Sequence, residues 1–363
     1  LSFPLLTAIG EDFNFDSMHS LSSISISSLQ YIGGNIILNN MRKLSSMNFP
    51  ILTSLGGITL SNSSGQMNAL STLTFPELLT VNGTIDLSFG SSAPGSFIPL
   101  TSIDAPLLNT VSCLSVTVTN FNRLIFPSLT SVAGNFIVNT NPLFKTLSSP
   151  SLLDIGGNLR YGGAVLSAVN FGSLSTIGGE LNISDRKDTS ATLTTSPFLS
   201  AIEFPSLVYA GRIILPDSTE SLRTSRIVFS SLREAGNITI KALLELSALN
   251  LNSLTTVTGS LTLQDQPKLR RYTFPALTSV NSFIMTGSTN ISGINFPSLV
   301  SGQISLSIAT SNLPAVTFPS LVHSDSITIS LPTRLNRASF PLLQGSGQLA
   351  ISNGGPLTAI NLN

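Results

Sequence analysis

The sequence predicts an all-β repeat solenoid of about fifteen coils with a period near 22–23 residues. Two observations carry that prediction. The first is self-similarity: TFPALTSV at 273–280, NFPSLVSG at 295–302, TFPSLVHS at 317–324 and SFPLLQGS at 339–346 place Pro275, Pro297, Pro319 and Pro341 at a constant spacing of 22. The second is strand-type alternation in two segments of each repeat, with no window of helical spacing and caps. A leucine-rich-repeat horseshoe is the alternative fold. Two alternating strands per repeat, with no room for a helix, argue against it.

The consensus reads L-x-x-[LIV]-x-F-P-x-L-x-x-[VI]-x-G-x-[LIF]-x-[LIV]. After the glycine, Ile58/Leu60, Ile85/Leu87, Phe136/Val138, Ile238/Ile240, Leu261/Leu263 and Ile327/Ile329 alternate with polar residues, which is the signature of a half-buried strand. Before the proline, Leu124/Phe126, Ile294/Phe296 and Val316/Phe318 do the same. Gly83, Gly134, Gly157, Gly236 and Gly259 suit a corner that needs either a positive φ or close backbone approach. Proline lacks an N–H and belongs where a strand ends and the coil bends. One coil cannot bury its own apolar side, whereas stacked coils form continuous inward ladders. Phe3, Phe49, Phe75, Phe126, Phe171, Phe204, Phe229, Phe274, Phe296, Phe318 and Phe340 fall in one such ladder, more than half of the chain's twenty phenylalanines. The whole of 1–363 reads as one continuous solenoid and as a segment of a longer chain.

Composition narrows the function. Only 9% of the 363 residues are charged and the formal net charge is zero. Serine and threonine make up about a quarter of the chain, well above ordinary usage. Seventeen basic against seventeen acidic residues give no basic surface for nucleic acid. One cysteine excludes a disulfide scaffold, and no cofactor or metal site is expected. No run of about 18 apolar residues points to membrane insertion within this segment.

The run FPSLTSVAGNFIVNTNPLFKTL at 126–147 resembles the repeats of receptor L-domain-like leucine-rich surface proteins, most of all the fungal GPI-anchored cell-wall proteins of that type. The resemblance covers nearly the whole chain and rests on packing residues. It implies a right-handed β-helix-like solenoid, secretion, and an extracellular, cell-surface or cell-wall setting. It implies no ligand.

Outward positions on the post-glycine strand are small and uncharged for the most part: Thr59, Asp86, Thr117, Ile137, Arg160, Asn182, Ile214, Thr239, Thr262, Ile284, Ser305, Thr328 and Ala350 in one column. A second column two residues on includes Ser61, Ser88, Thr119, Lys241, Gln264 and Ser307. The expectation is that hydroxyls solvate this surface without charge. Insertions follow the strand at 89–98, 185–200 and 216–226. The second and third gather charge in Asp185, Arg186, Lys187, Asp188, Asp217, Glu220, Arg223 and Arg226, which makes them the candidate recognition loops. Sequons at Asn62, Asn82, Asn182, Asn237 and Asn290 are candidate N-glycosylation sites at turns, loops or outward strand positions.

Catalysis needs converging groups. His19 and His323 fall in coils far apart in the repeat order, and no acidic column recurs, so no enzyme is expected. The first and last residues enter and leave at the same phase of the repeat without a polar cap, which suggests stacking on neighbouring repeats or on other copies, end to end. The function expected is therefore a non-enzymatic scaffold with a structural or adhesive role, with filament assembly as an extension. The alternative is a glycan- or protein-recognition module using the inserted-loop edge.

Overall fold

A computed structural model describes residues 2–61, 69–88, 100–117, 121, 123–139, 146–162, 168–184, 200–215, 224–287, 291–308, 313–331, 335–353 and 357–362. Among these residues every regular element is a strand. Each turn has one long strand, such as Tyr31–Asn39 or Thr256–Gln264, and one three-residue strand, such as Ser46–Asn48 or Arg271–Thr273. Both pair in parallel with the same element one turn away: Ile36 opposes Ile58, and Ile304 opposes Ile327. The fold is a parallel β-solenoid, as the repeat implies. Twelve turns carry an unbroken long strand of seven to nine residues. Three others split it, as in Ser131–Val132 followed by Phe136–Asn139. The regular body thus has about twelve turns rather than fifteen alike.

The chain divides into two compact units, the first built mainly from Leu1–Gly179 and the second mainly from Phe198–Asn363. In the first, the Phe49 and Phe75 rings stack at 5.9 Å and 1°. The column then changes residue type to Ala105, Phe126, Ser149 and Phe171, all buried. Where Ser149 leaves a gap, Phe136 of the preceding turn's long strand meets the Phe171 ring edge-on at 5.8 Å and 87°. The same device occurs earlier: Phe13 reaches Phe49 at 5.9 Å and 84°, spanning the turn whose column residue is Ile26.

The second unit is more regular. Phe204 stacks on Phe229 at 5.8 Å. Phe274, Phe296, Phe318 and Phe340 stack in sequence at 4.9, 5.5 and 5.7 Å, with interplanar angles no larger than 18°. These are the spacings of offset ring stacking, and each fully buried ring contributes about 1.5–3 kcal/mol from area alone. Of the column read from the sequence, Phe3 is the exception, 42% exposed in the first turn. Ile360 and Leu362, read as inward, are also exposed, at 50% and 45%.

The corner glycines are decided by contact, not by φ. Among the described residues, positive φ occurs at Gly287 and Gly302 and at Ser17, Asn40, Ala242 and Asp265, none of them one of the five corner glycines named above. A Cβ on Gly83 would lie 2.6 Å from the Gly56 carbonyl oxygen, and one on Gly236 would collide with the Gly211 carbonyl. The backbone of one turn therefore rests against the next at this corner, and only glycine has the room.

The hydroxyls do more than solvate. The serine after the proline position, which Ser27 fills in one turn, donates to a carbonyl one turn earlier: Ser28 to Pro4 at 2.6 Å, Ser151 to Pro127 at 2.6 Å, Ser298 to Pro275 at 2.7 Å and Ser320 to Pro297 at 2.6 Å. Two residues on, Thr53, Thr255 and Thr278 donate to Gln30, Arg233 and Thr255 at 2.8–3.0 Å. Just before the short strand, Ser45, Thr101, Ser247 and Thr358 repeat the pattern at 3.0–3.1 Å. In the last two sets the carbonyl also accepts the same residue's backbone N–H, so the hydroxyl adds a second bond between turns.

Candidate functional site

The charged loops read from the sequence fall mostly outside the described residues: Asp185, Arg186, Lys187, Asp188, Asp217, Glu220 and Arg223 all do. Arg226 is described. It opens the short strand Arg226–Val228, is exposed, and forms an ion pair with Glu203 one turn earlier. Lys268 and Glu245 make the same kind of turn-to-turn pair. Such exposed pairs add little to stability, and they use charge along the stack.

Of the sequons, Asn62 and Asn290 lie outside the described residues. Asn182 is half-buried on the long strand Thr176–Ser184, and its Nδ2 donates to Glu180 Oε1 at 2.9 Å. Glu180 also faces Arg212 at 3.7 Å. Asn237 is half-buried at the corner and its Oδ1 accepts the Ser260 N–H at 2.8 Å. Asn135 and Asn158 build the same amide step, with both the main-chain and side-chain nitrogens of Asn158 at 2.9 Å from Asn135 Oδ1. Asp12 receives the Asn35 N–H at 2.7 Å. This corner ladder was not read from the sequence. Its signal is the G-N pair recurring at 34–35, 134–135, 157–158 and 236–237. Asn82, by contrast, is exposed, and its main-chain carbonyl accepts Ser112 Oγ at 2.5 Å.

One outward register is corrected. The sequence reading places Thr117 and Thr119 in the two outward columns of their turn. The structure pairs Ser115 with Asp86 and Thr117 with Ser88, so Ser115 and Thr117 occupy those columns. The cause is a corner of two residues, Ser112 and Cys113, where the preceding turn has three. A one-residue change at a corner shifts which residues can face outward. Thr119 lies outside the described residues.

Cys113 sits half-exposed at this corner, with Gly134 of the next turn against its Sγ. The two histidines belong to different units: His19 Nδ1 lies 3.2 Å from the Asn40 carbonyl in the first, and His323 opens a long strand of the second. Among the described residues no three His, Cys, Asp or Glu side chains gather as a metal site would require. Two buried polar atoms have no hydrogen-bond partner among the described residues, Ser149 Oγ and Tyr161 Oη. Burial pushes the Tyr161 hydroxyl well above the usual tyrosine range. Both belong to the turn that interrupts the phenylalanine column, so they mark an irregular core and not a chemical centre. Among the described residues, no helix is long and apolar enough to cross a membrane.

Comparison with known proteins adds little. No family model matches the chain, and no curated protein matches it. Among solved structures it is similar to YopM from Yersinia enterocolitica WA-314, at 14% identity over 96% of this chain and 88% of that one, with a TM-score of 0.21. At that TM-score the likeness carries no argument. The repeat solenoid rests on the strand pairing described above.

Proposed function

We propose that this chain is a non-enzymatic extracellular scaffold, of the cell surface or cell wall, with a structural or adhesive role. The observation that supports this reading best is where the polar groups go. Serine, threonine and asparagine side chains are used turn after turn to tie one coil to the next. A surface spent on holding the stack together suits a mechanical element, since each added turn brings its own bonds and needs no separate core. The likeness of its repeats to receptor L-domain-like proteins of fungal cell walls supports the same setting. End-to-end association of copies is the extension of this reading.

The test displays the full chain on the surface of a wall-bearing cell and measures cell–cell adhesion. Adhesion should rise, and should persist when 185–200 are deleted. Loss on that deletion would favour the recognition module on the inserted-loop edge. No adhesion by the full chain, or turnover of a wall polysaccharide by the purified protein, would overturn the scaffold reading.

A further inference from the structure

We propose that Asn82 carries an N-linked oligosaccharide, and that among the three described sequons it is the one the fold leaves open. The inference rests on the extracellular reading above for its biological setting, and on local geometry for the choice of residue.

The geometry is a bulge. Between the inward residues Val81 and Ile85 this turn has three residues, Asn82, Gly83 and Thr84. The turns on each side have two at the same place, Gly56-Gly57 and Ser112-Cys113, and the strand register shifts there on both sides. Three residues opposite two cannot all stay in the ladder, so the strand bows outward. Asn82 and Thr84, the first and third residues of the sequon, are both exposed. The Asn82 side chain takes no part in the corner ladder, and its neighbours at this corner are small: a glycine on one side and a serine on the other.

The other two described sequons differ in the part that matters. Asn237 stands in a two-residue corner with Gly236, and its amide is seated under Gly259 and Ser260 of the next turn. A Cβ on Gly259 would already collide with Asn237 Oδ1. The amide is thus held against the next turn through its Oδ1, and a modified amide would have to keep that seat. Asn182 has its Nδ2 committed to Glu180 on a half-buried strand face.

In the transfer step the donor is an oligosaccharide joined to a lipid pyrophosphate. The Asn82 Nδ2 bonds to the anomeric carbon as the bond from that carbon to the pyrophosphate oxygen breaks. The pyrophosphate leaves with the electron pair, and one amide proton passes to a base on the transferase. Nothing is oxidised or reduced. The acceptor is modified on the nascent chain, and the fold then decides whether a modified chain can close.

The experiment secretes the full chain from a eukaryotic host and measures occupancy at each sequon by mass spectrometry after enzymatic glycan removal in heavy-oxygen water. Asn82 should be occupied in most secreted chains, and at a higher level than Asn182 or Asn237. Asn82→Gln and Thr84→Ala should each lose one glycan. The two variants remove the sequon independently, so either one secreted as folded protein reads the loss if the other folds poorly. An empty Asn82 in secreted chains, or equal occupancy at Asn237, overturns the proposal. The extracellular setting fails separately, if the protein in its own cells stays inside them.

Discussion

The two units solve one packing problem in different ways. In the second, four rings from Phe274 to Phe340 stack face to face without a gap, and the long-strand Phe283 lies edge-on to Phe274 and Phe296. In the first, the turn of Ser149 does not fill its share, and Phe136 from the preceding turn reaches past it to Phe171. The comparison shows that the stack conserves volume, not residue type. At Ser149 a small column residue is met by an aromatic long-strand residue of the turn before, one way a close-packed interior absorbs substitution.

The largest expected effect is in the regular unit. Phe296→Ala should destabilise it by about 3–5 kcal/mol, since the buried ring touches Phe274 and Phe318 on its two sides and Phe283 at its edge. A urea melt of the full chain measures it. A shift below about one kcal/mol would mean that this stack adapts as freely as the turn of Ser149 does.

The irregular unit should resist the reverse change. Ser149→Phe, which restores the consensus, should cost about 1–3 kcal/mol because Phe136 already occupies the gap. Combining it with Phe136→Leu should recover much of that loss. A double-mutant cycle reads the coupling, and simple additivity of the two changes would refute the compensation.

Tyr161 gives a smaller effect with a pH signature. Its buried hydroxyl has no partner among the described residues, so Tyr161→Phe should stabilise by about 1 kcal/mol. The sign of the pH dependence follows from the raised native pKa. An unfolded tyrosine ionises near 10, while the native one stays neutral, so stability is full below about pH 10 and falls as pH rises beyond it. Thermal melts between neutral and alkaline pH should show that fall reduced in Tyr161→Phe. An unchanged profile would place the alkaline loss elsewhere.

The smallest effect tests the ladders. Ser320→Ala removes the hydroxyl bonded to the Pro297 carbonyl and should cost about 0.5–1.5 kcal/mol. Ser151→Ala, which removes the hydroxyl bonded to the Pro127 carbonyl in the first unit, provides the matched measurement there. Equal losses would show that the hydroxyl ladder is indifferent to whether the aromatic column beside it is regular.

Much of the fold was legible because its causes are local and repeated. A spacing of 22 between prolines, two alternating segments and a glycine corner fix a coil, and identical coils can bury their apolar sides only by stacking. The candidate site was legible in part. Arg226 was found as an exposed charge, but its pairing with Glu203 depends on the turn before it. The G-N corner motif was visible as letters, yet the amide bond from one turn to the next needs their register. The extra residue at Asn82 could be counted in the sequence, but it becomes a bulge only beside two shorter corners.

By itself the sequence determined that the chain is a stack of strand-only coils, with an inward phenylalanine column and an uncharged, hydroxyl-rich exterior. Tertiary structure alone decided what those hydroxyls do and how the gaps in the column are filled. The hydroxyl bonds join residues one turn apart, and Phe136 meets Phe171 across an intervening turn. A one-turn period names the residues of each coil, but the vertical offset between coils sets every contact among them, and it exists only once the coils are stacked.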